Sequence, residues 1–147
     1  MFRSFMSDAL SEARAAAARG EVPVGAVVTR GPDVIARAGN RTRELNDPTA
    51  HAEILAIRDA CRVLGQERLS GCALWVTLEP CAMCAQAIAH ARLDRLHFGA
   101  ADPKSGGVLM GARVFTHPQT HHAPEVHDGI DADACAALLR DFFAKRR

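Results

Sequence analysis

The sequence predicts one α/β domain that spans residues 1–147. Short apolar segments of strand length alternate with longer segments that have the apolar period of a helix, which is typical of a sheet covered by helices. The chain has the length of one domain with a sizeable core. Its composition, 48% hydrophobic and 24% charged residues, is that of an ordinary globular protein.

The first predicted elements are a helix and a hairpin. Apolar residues near helical spacing predict a helix over residues 4–19, and Gly20 ends it. Residues 23–29 have the apolar character of a buried strand. A turn signal follows, so residues 34–38 are predicted to pair with this strand as a hairpin.

A second helix and a second strand follow. Asp47 and Pro48 predict the start of the helix, because aspartate suits the capping position and proline the first helical position. The helix runs over residues 47–64, and Gly65 ends it. The apolar residues 73–78 predict a second buried strand.

Pro80 predicts the start of a third helix, over about residues 81–91. Residues 93–99 predict a short strand in which Leu96 and Phe98 share one face. This strand extends the same sheet, since it follows a helix in the alternating pattern.

The remaining residues combine a long loop with a final helix. Residues 101–124 are rich in Gly, Pro and His and show no clear period, apart from a short turn around residues 108–112. Residues 125–127 predict a brief strand, and Asp131 is expected to cap the last helix. The apolar face of that helix consists of Cys135, Leu138, Leu139, Phe142 and Phe143.

Four residues have the spacing of a metal site with a carboxylate beside it. His51 and Glu53 flank Ala52, and Cys81 and Cys84 lie three residues apart after Pro80. One histidine and two cysteines are good zinc ligands, and three protein ligands leave the fourth tetrahedral position open to water. The two thiols share one face of the first helical turn, where the helix dipole favours thiolates. The pattern therefore predicts a catalytic zinc site.

The alternative is a closed structural site with a fourth cysteine. Cys72 lies at the far end of the predicted strand, about 20 Å from its other end at about 3.3 Å per residue. Cys61 lies along the predicted helix from His51, about 15 Å away at about 1.5 Å per residue. Cys135 lies on the core face of the last helix. These lengths favour the open site, and we expect all three cysteines to be small buried hydrophobic residues.

Glu53 is predicted to move protons rather than to bind the metal. On a regular helix, positions two residues apart differ by about 200°, so Glu53 and His51 cannot point the same way. Zinc lowers the pKa of a bound water to about 7. A carboxylate within hydrogen-bond reach can take that proton and pass it to a substrate nitrogen.

Charge, hydrophobicity and cysteine content indicate which partners and which cellular compartment to expect. The formal net charge of +1 neither demands nor excludes nucleic acid, which would have to bind a local patch. No apolar run approaches about 18–20 residues, so no membrane span is expected. Asp8 and Glu12 precede any apolar run, which predicts no secretory signal. Five cysteines, two of them in a metal-binding spacing, fit the reducing cytosol, so we expect a cytoplasmic protein.

Segments along nearly the whole chain resemble bacterial tRNA-specific adenosine deaminases, of the cytidine deaminase-like superfamily. His-x-Glu followed by Pro-Cys-x-x-Cys is the signature that zinc nucleobase deaminases share. The segments that carry the resemblance are residues 21–26 (Glu-Val-Pro-Val-Gly-Ala), 40–41, 47–54, 76–84, 98–100, 102–104 and 136–143.

The resemblance implies a fold and a reaction. The fold would be a three-layer α/β/α sandwich around a five-stranded mixed sheet. The reaction would be hydrolytic deamination of the wobble adenosine in the anticodon of an arginine tRNA, with hydroxide adding to C6, ammonia leaving and inosine as the product. The resemblance also implies a homodimer in which both subunits contact the tRNA anticodon loop, with one zinc ion per subunit.

The same resemblance assigns roles to individual residues. His51, Cys81 and Cys84 would bind zinc. Glu53 would be the proton shuttle, and Asn40 would hydrogen-bond the flipped base. The other residues expected at the substrate are Val24, Ala52, Leu78, Glu79, Asp102 and Lys104.

Two other functions remain open. A deaminase of a free base such as guanine or cytosine can carry the motifs of residues 46–84, although the flanking segments favour the tRNA enzyme. A non-catalytic zinc module that binds RNA is disfavoured, because it would have no need of Glu53 beside an open zinc position.

Several basic side chains could contact RNA or remain solvated. Arg41 and Arg43 follow Asn40 and are the better candidates for contacts with the phosphate backbone. The weaker candidates are His117, His121, His122 and the basic tail of residues 145–147.

Overall fold

The computed structural model describes residues 3–146. The helices in this range are α1 (Met6–Ala18), α2 (Ala52–Leu64), α3 (Ala82–Ala91) and α4 (Ala132–Ala144). The strands are β1 (Gly25–Arg30), β2 (Asp33–Gly39), β3 (Ala73–Leu78), β4 (Arg95–Ala100) and β5 (Glu125–His127). The predicted alternation of helices and strands is confirmed. Within the described range, every helix is too short or too polar to cross a membrane.

The five strands form one mixed sheet in the order β2-β1-β3-β4-β5. β1 pairs antiparallel with β2 and β3, which confirms the predicted hairpin. β3, β4 and β5 run parallel. Parallel strands bring their carboxyl ends to one edge of a sheet, and this is the edge at which open α/β sheets bind their ligands.

Helices cover both faces of the sheet, so the α/β/α sandwich is confirmed. One face packs against α2 and α3 in a cluster that includes Leu74, Leu96 and Phe98. The other face packs against α1 and α4 in a second cluster that includes Met6 and Trp75. Leu96 and Phe98 share a face because side chains two apart on a strand point the same way.

The last helix departs from its prediction in two ways. Asp131 stands immediately before α4, but its backbone is left-handed and its side chain makes no capping hydrogen bond. Of the predicted apolar face, Cys135 is buried, whereas Phe143 is 49% exposed. The turn expected around residues 108–112 is present, since residues 111–112 form a turn closed by the N–H of Arg113 on Met110 O at 3.3 Å, and a 3₁₀ turn follows at Val114–Thr116.

Candidate active site

The histidine and the two cysteines of the predicted metal site lie where two helices begin. His51 immediately precedes α2 and Cys81 immediately precedes α3, both with extended backbones, while Cys84 lies in the first turn of α3. Leu78 ends β3, so the sheet delivers Cys81 and Cys84 at the carboxyl end of a parallel strand. The starts of two helices therefore converge on this site.

The predicted start of α2 at Asp47 and Pro48 is wrong, and the difference places His51. The Oδ1 atom of Asp47 accepts hydrogen bonds from the backbone N–H of Thr49 at 2.8 Å and from its hydroxyl at 2.7 Å. Asp47 therefore closes a local turn instead of capping a helix. The chain becomes helical only at Ala52, so His51 lies outside the helix.

The distances from His51 Nδ1 to the two thiols are those expected between ligands of a tetrahedral zinc ion, and all three atoms lie within 4.8 Å of one another. His51 Nδ1 is 3.4 Å from Cys84 Sγ and 3.7 Å from Cys81 Sγ. Bonds of about 2.3 Å to sulfur and about 2.0–2.1 Å to nitrogen place tetrahedral N and S ligands about 3.5 Å apart. No other His, Cys, Asp or Glu among residues 3–146 joins this group. The group is therefore placed to hold a metal ion, and three ligands of a tetrahedral ion would leave its fourth position open.

The spare cysteines stay outside the group, as predicted. Cys72 and Cys135 are buried hydrophobic residues. Cys61 is only partly buried, and its thiol contacts the backbone oxygen of Glu67 at 3.7 Å. The prediction of burial thus holds for two of the three.

The two ligand thiols differ in proton affinity. The hydrogen bond from Cys84 and a second one from His51 lower the pKa of the Cys81 thiol to about 4. The same hydrogen bond, together with burial, raises the pKa of the Cys84 thiol. Hydrogen bonding to Cys81 also raises the pKa of His51. A metal ion that binds all three ligands must therefore displace protons, which makes its affinity pH-dependent.

Glu53 lies beside the ligands. Its side chain is 4% exposed, burial raises its pKa, and its carboxyl is in hydrogen-bond contact with the thiol of Cys84. The helical angle used to separate Glu53 from His51 does not apply, because His51 precedes the helix in an extended conformation. Glu53 nevertheless stays outside the ligand group. A buried carboxyl beside an open metal position is suited to proton transfer.

Asn40 connects β2 to the start of α2. Its Oδ1 accepts the backbone N–H of Ala52 at 2.8 Å, and its own N–H donates to Val24 O at 3.1 Å. These bonds bring together Asn40, Val24 and Ala52, which were all expected at the substrate. Ala52 is fully buried and Val24 is nearly so. The side-chain amide of Asn40 still has two N–H groups with which to bind a ligand.

The carboxylate of Glu79 holds the loop of residues 102–110. Its Oε2 accepts backbone N–H groups from Val108 at 3.1 Å, Leu109 at 2.8 Å and Met110 at 3.0 Å, and its Oε1 accepts that of Asp102 at 3.0 Å. Burial raises the pKa of Glu79, but these hydrogen bonds outweigh burial and lower it overall. The Glu79 carboxylate is thus engaged in hydrogen bonds with the loop. A substrate contact at Glu79 remains a prediction, and it concerns the backbone of this residue.

The same loop packs directly on Cys81 and Ala82. A Cβ added to Gly107 would lie 2.5 Å from Ala82 N and 2.7 Å from the carbonyl carbon of Cys81. Asp102 closes a turn in this loop by accepting the N–H groups of Lys104 and Ser105, and Lys104 is exposed. The loop therefore borders the site, and the exposed side chain of Lys104 extends from it.

Two of the three loop histidines make structural contacts. His117 Nε2 is 2.6 Å from Ala112 O, and His122 Nε2 is 2.7 Å from Leu93 O. His121 is exposed.

The sequence did not predict that buried carboxylates such as that of Glu79 would anchor a loop, because nothing in the local pattern distinguishes them from surface acids.

Comparison with known proteins agrees with the family resemblance seen in the sequence. The family model of the MafB19-like deaminases matches residues 2–147. The chain is 59% identical to a tRNA-specific adenosine deaminase from Agrobacterium fabrum, over 97% of this chain and 94% of that protein. A tRNA-specific adenosine deaminase from Aquifex aeolicus is 43% identical, with coverage of 97% and 94%.

Solved structures show the same likeness. A structure from a study of A-to-I editing by tRNA:A34 deaminases at the wobble position superposes with a TM-score of 0.91 at 59% identity, and covers 92% of this chain and 98% of that one. A guanine deaminase from Nitrosomonas europaea has a TM-score of 0.81 at 28% identity, with coverage of 95% and 82%.

Proposed function

Because this chain belongs to the MafB19-like deaminases and, among them, to the tRNA-specific adenosine deaminases, we propose that it converts the wobble adenosine of a tRNA anticodon to inosine. The observation that carries this proposal is the three-residue group of His51, Cys81 and Cys84, with the carboxyl of Glu53 buried beside it. We further propose that the substrate is an arginine tRNA and that the enzyme works in the cytoplasm, where that substrate is found.

The ligand set fits zinc, and we propose one zinc ion per subunit, held by His51, Cys81 and Cys84. Zinc bound there supplies the Lewis acid that makes water a nucleophile at neutral pH. The carboxylate of Glu53 takes a proton from the water that adds to C6 of adenine. It then returns a proton to the amino nitrogen, which leaves as ammonia.

The residues around Asn40 hold the base. The side-chain amide of Asn40 donates to the flipped adenine, while its Oδ1 stays bonded to Ala52 and fixes its orientation. Val24 and Ala52 provide the apolar walls of the pocket, and the backbone of Leu78 lines it at the carboxyl end of β3. Asp102 shapes the turn that presents Lys104 to the RNA.

A homodimer that contacts the tRNA anticodon loop from both subunits completes the proposal. Three apolar side chains, Met83, Leu109 and Met110, are 37%, 42% and 38% exposed in segments that meet where Gly107 packs on Ala82. Exposed apolar side chains of this kind support a contact with a second copy. Sedimentation of the purified protein tests this point.

The substitution Glu53→Gln tests the mechanism. The variant should bind zinc like the wild type and lose inosine formation by at least about 100-fold, since general acid–base groups contribute about 10²–10⁴-fold. Metal analysis and nucleoside mass spectrometry provide the two measurements. The exposed Glu67→Gln in the α2–β3 connection is the matched control and should keep both properties.

The same experiment separates the alternatives. A zinc module that only binds RNA predicts that Glu53→Gln leaves function intact, so unchanged inosine formation by the variant would overturn our mechanism. A free-base deaminase fits less well. The likeness to guanine deaminases is 28% identity over 95% of this chain, or 41% over only 66% of it, against 59% over 97% for the tRNA enzyme.

A further inference from the structure

Three arginine side chains from distant parts of the chain meet beside the end of α1. Arg19 caps α1, Arg43 lies between β2 and α2, and Arg146 follows α4. They line an open cleft of about 570 Å³ together with Gly20, Glu21 and Glu44. We call this feature the arginine cleft.

Two of these guanidinium groups converge on one oxygen atom. Arg43 Nη1 donates to Gly20 O at 3.2 Å, and Arg146 Nη2 donates to the same oxygen at 3.1 Å. The two nitrogens are therefore no further apart than the sum of these distances. Like charges this close repel each other, and an anion placed between them removes that repulsion. Each guanidinium also has further N–H groups with which to bind it.

The carboxylates of the arginine cleft only partly balance its charge. Glu44 pairs with Arg41 at 2.7 Å and lies 3.9 Å from Arg19. Glu21 is 1% exposed, and its two oxygens accept the backbone N–H groups of Arg43 and Glu44 at 3.1 and 2.8 Å.

Glu21 therefore fixes the backbone that carries Arg43 rather than pairing with its guanidinium. Within residues 3–146, neither Arg43 nor Arg146 forms an ion pair at 4.0 Å or less, unlike Arg19 and Arg41. Four arginines with Arg41 included face two glutamates, which leaves an excess of two positive charges.

The arginine cleft adjoins the proposed base pocket. Arg19 Nη2 donates to Asn40 O at 3.2 Å, and the side chain of the same asparagine binds Ala52 N at 2.8 Å. Ala52 lies between the metal ligand His51 and Glu53. One residue thus separates the arginine cleft from the site where the adenine must sit.

From this geometry we propose that the arginine cleft binds a backbone phosphate of the tRNA, adjacent to the nucleotide whose base enters the metal site. The proposal rests on the proposed function and names a subsite for it. Guanidinium groups suit this task because their N–H groups bind phosphate oxygens in pairs. Because Arg43 and Arg146 already converge in the free protein, the phosphate-binding position is formed before the RNA binds.

Salt-dependent binding of an arginine tRNA tests the proposal. Binding is measured in a Glu53→Gln background, which prevents turnover, for the additional variants Arg43→Gln and Arg146→Gln. Loss of one single-strand phosphate contact lowers the magnitude of the slope of log K against log salt concentration by about 0.7. The affinity of the variant then changes about fivefold less than that of the parent for each tenfold change in salt concentration. We expect this loss in both variants.

Matched variants separate a specific contact from general charge. Arg68 is exposed in the α2–β3 connection, at the opposite end of β3 from the metal site, so Arg68→Gln should leave the slope unchanged. Arg146→Lys keeps the charge and should recover most of the lost slope. Arg43 and Arg146 are exposed, so melting temperatures should stay near that of the parent variant.

Three results would overturn the proposal. Slopes and affinities of Arg43→Gln and Arg146→Gln could match the parent, or Arg68→Gln could cause the same loss. Alternatively, the variants could weaken binding of inorganic phosphate but not of tRNA, which would indicate a site for a free anion. Inosine formation by the wild type is measured separately, so failure of the arginine cleft and failure of the proposed function are distinguishable.

Discussion

Replacing Glu79 by glutamine tests how the loop of residues 102–110 is held over the metal ligands. The wild-type carboxylate is 2% exposed and accepts four backbone N–H groups, three on Oε2 and one on Oε1. Glutamine has nearly the same shape but only one oxygen and no charge. If that oxygen accepts the three N–H groups, the NH₂ group of the glutamine faces the N–H of Asp102. Two hydrogen-bond donors then face each other, and the N–H of Asp102 has no acceptor.

The size of the effect follows from these bonds. A hydrogen bond to a charged group contributes about 1.5–3 kcal/mol against about 0.5–1.5 kcal/mol for a neutral one, and an unpaired buried donor costs about 1–3 kcal/mol. Bonds that share one acceptor are not additive. We therefore expect the free energy of unfolding to fall by about 3–5 kcal/mol, as when one partner is removed from a buried charged network.

Urea unfolding and amide hydrogen exchange measure the consequence. The Glu79→Gln variant should lose stability and the exchange protection of Leu109 and Met110. The control is Glu125→Gln, which removes an exposed ion pair with Arg95 at 3.4 Å and should cost less than about 1 kcal/mol. A loss below about 1 kcal/mol in Glu79→Gln, with unchanged protection of the loop amides, would refute the reasoning.

Substitutions at three further positions follow from contacts described above. Gly107→Ala places a Cβ 2.5 Å from Ala82 N, so the start of α3 must shift; a chelator competition assay should show weaker zinc binding, and unchanged affinity would contradict the packing argument. Asn40→Asp keeps the acceptor for Ala52 N–H but loses the amide donors, so KM for tRNA should rise while stability is kept; Asn40→Ala should also lose about 1–3 kcal/mol in urea unfolding. Burial raises the pKa of Glu21, but hydrogen bonds and nearby arginines outweigh it and lower the pKa overall. A depressed folded-state pKa stabilises the fold above the unfolded-state value, and this contribution is lost as pH falls through the folded-state value. The stability difference between wild type and Glu21→Gln should therefore be largest above about pH 5 and shrink in acid, whereas a pH-independent difference would count against it.

Local signals in the sequence were sufficient to predict much of the fold and the grouping of His51, Cys81 and Cys84. The strand at residues 73–78 is found with its predicted bounds, because a short apolar run between turn residues has few alternatives. Gly65 ends α2 with φ 67°, a conformation that glycine adopts without strain. Cys84 lies in the first turn of α3 as predicted, whereas Cys81 immediately precedes the helix with an extended backbone instead of sharing that turn.

The misses arise where two local structures compete or where partners are far apart. Asp47 can cap a helix or bond to Thr49 two residues on, and both are favourable, so the sequence did not decide between them. Glu21 and Glu79 bind backbone groups that lie 22 to 31 residues further along the chain. No spacing rule reveals such contacts, because they exist only once the sheet has brought the segments together.

The most direct test of the central claim is product analysis with a panel of substrates. The purified protein, loaded with zinc, is incubated separately with an arginine tRNA, free adenosine, guanine and cytosine, and the products are identified by mass spectrometry. We predict inosine at the wobble position of the tRNA and no turnover of the free bases. Turnover of guanine or cytosine without inosine in the tRNA would contradict the assignment.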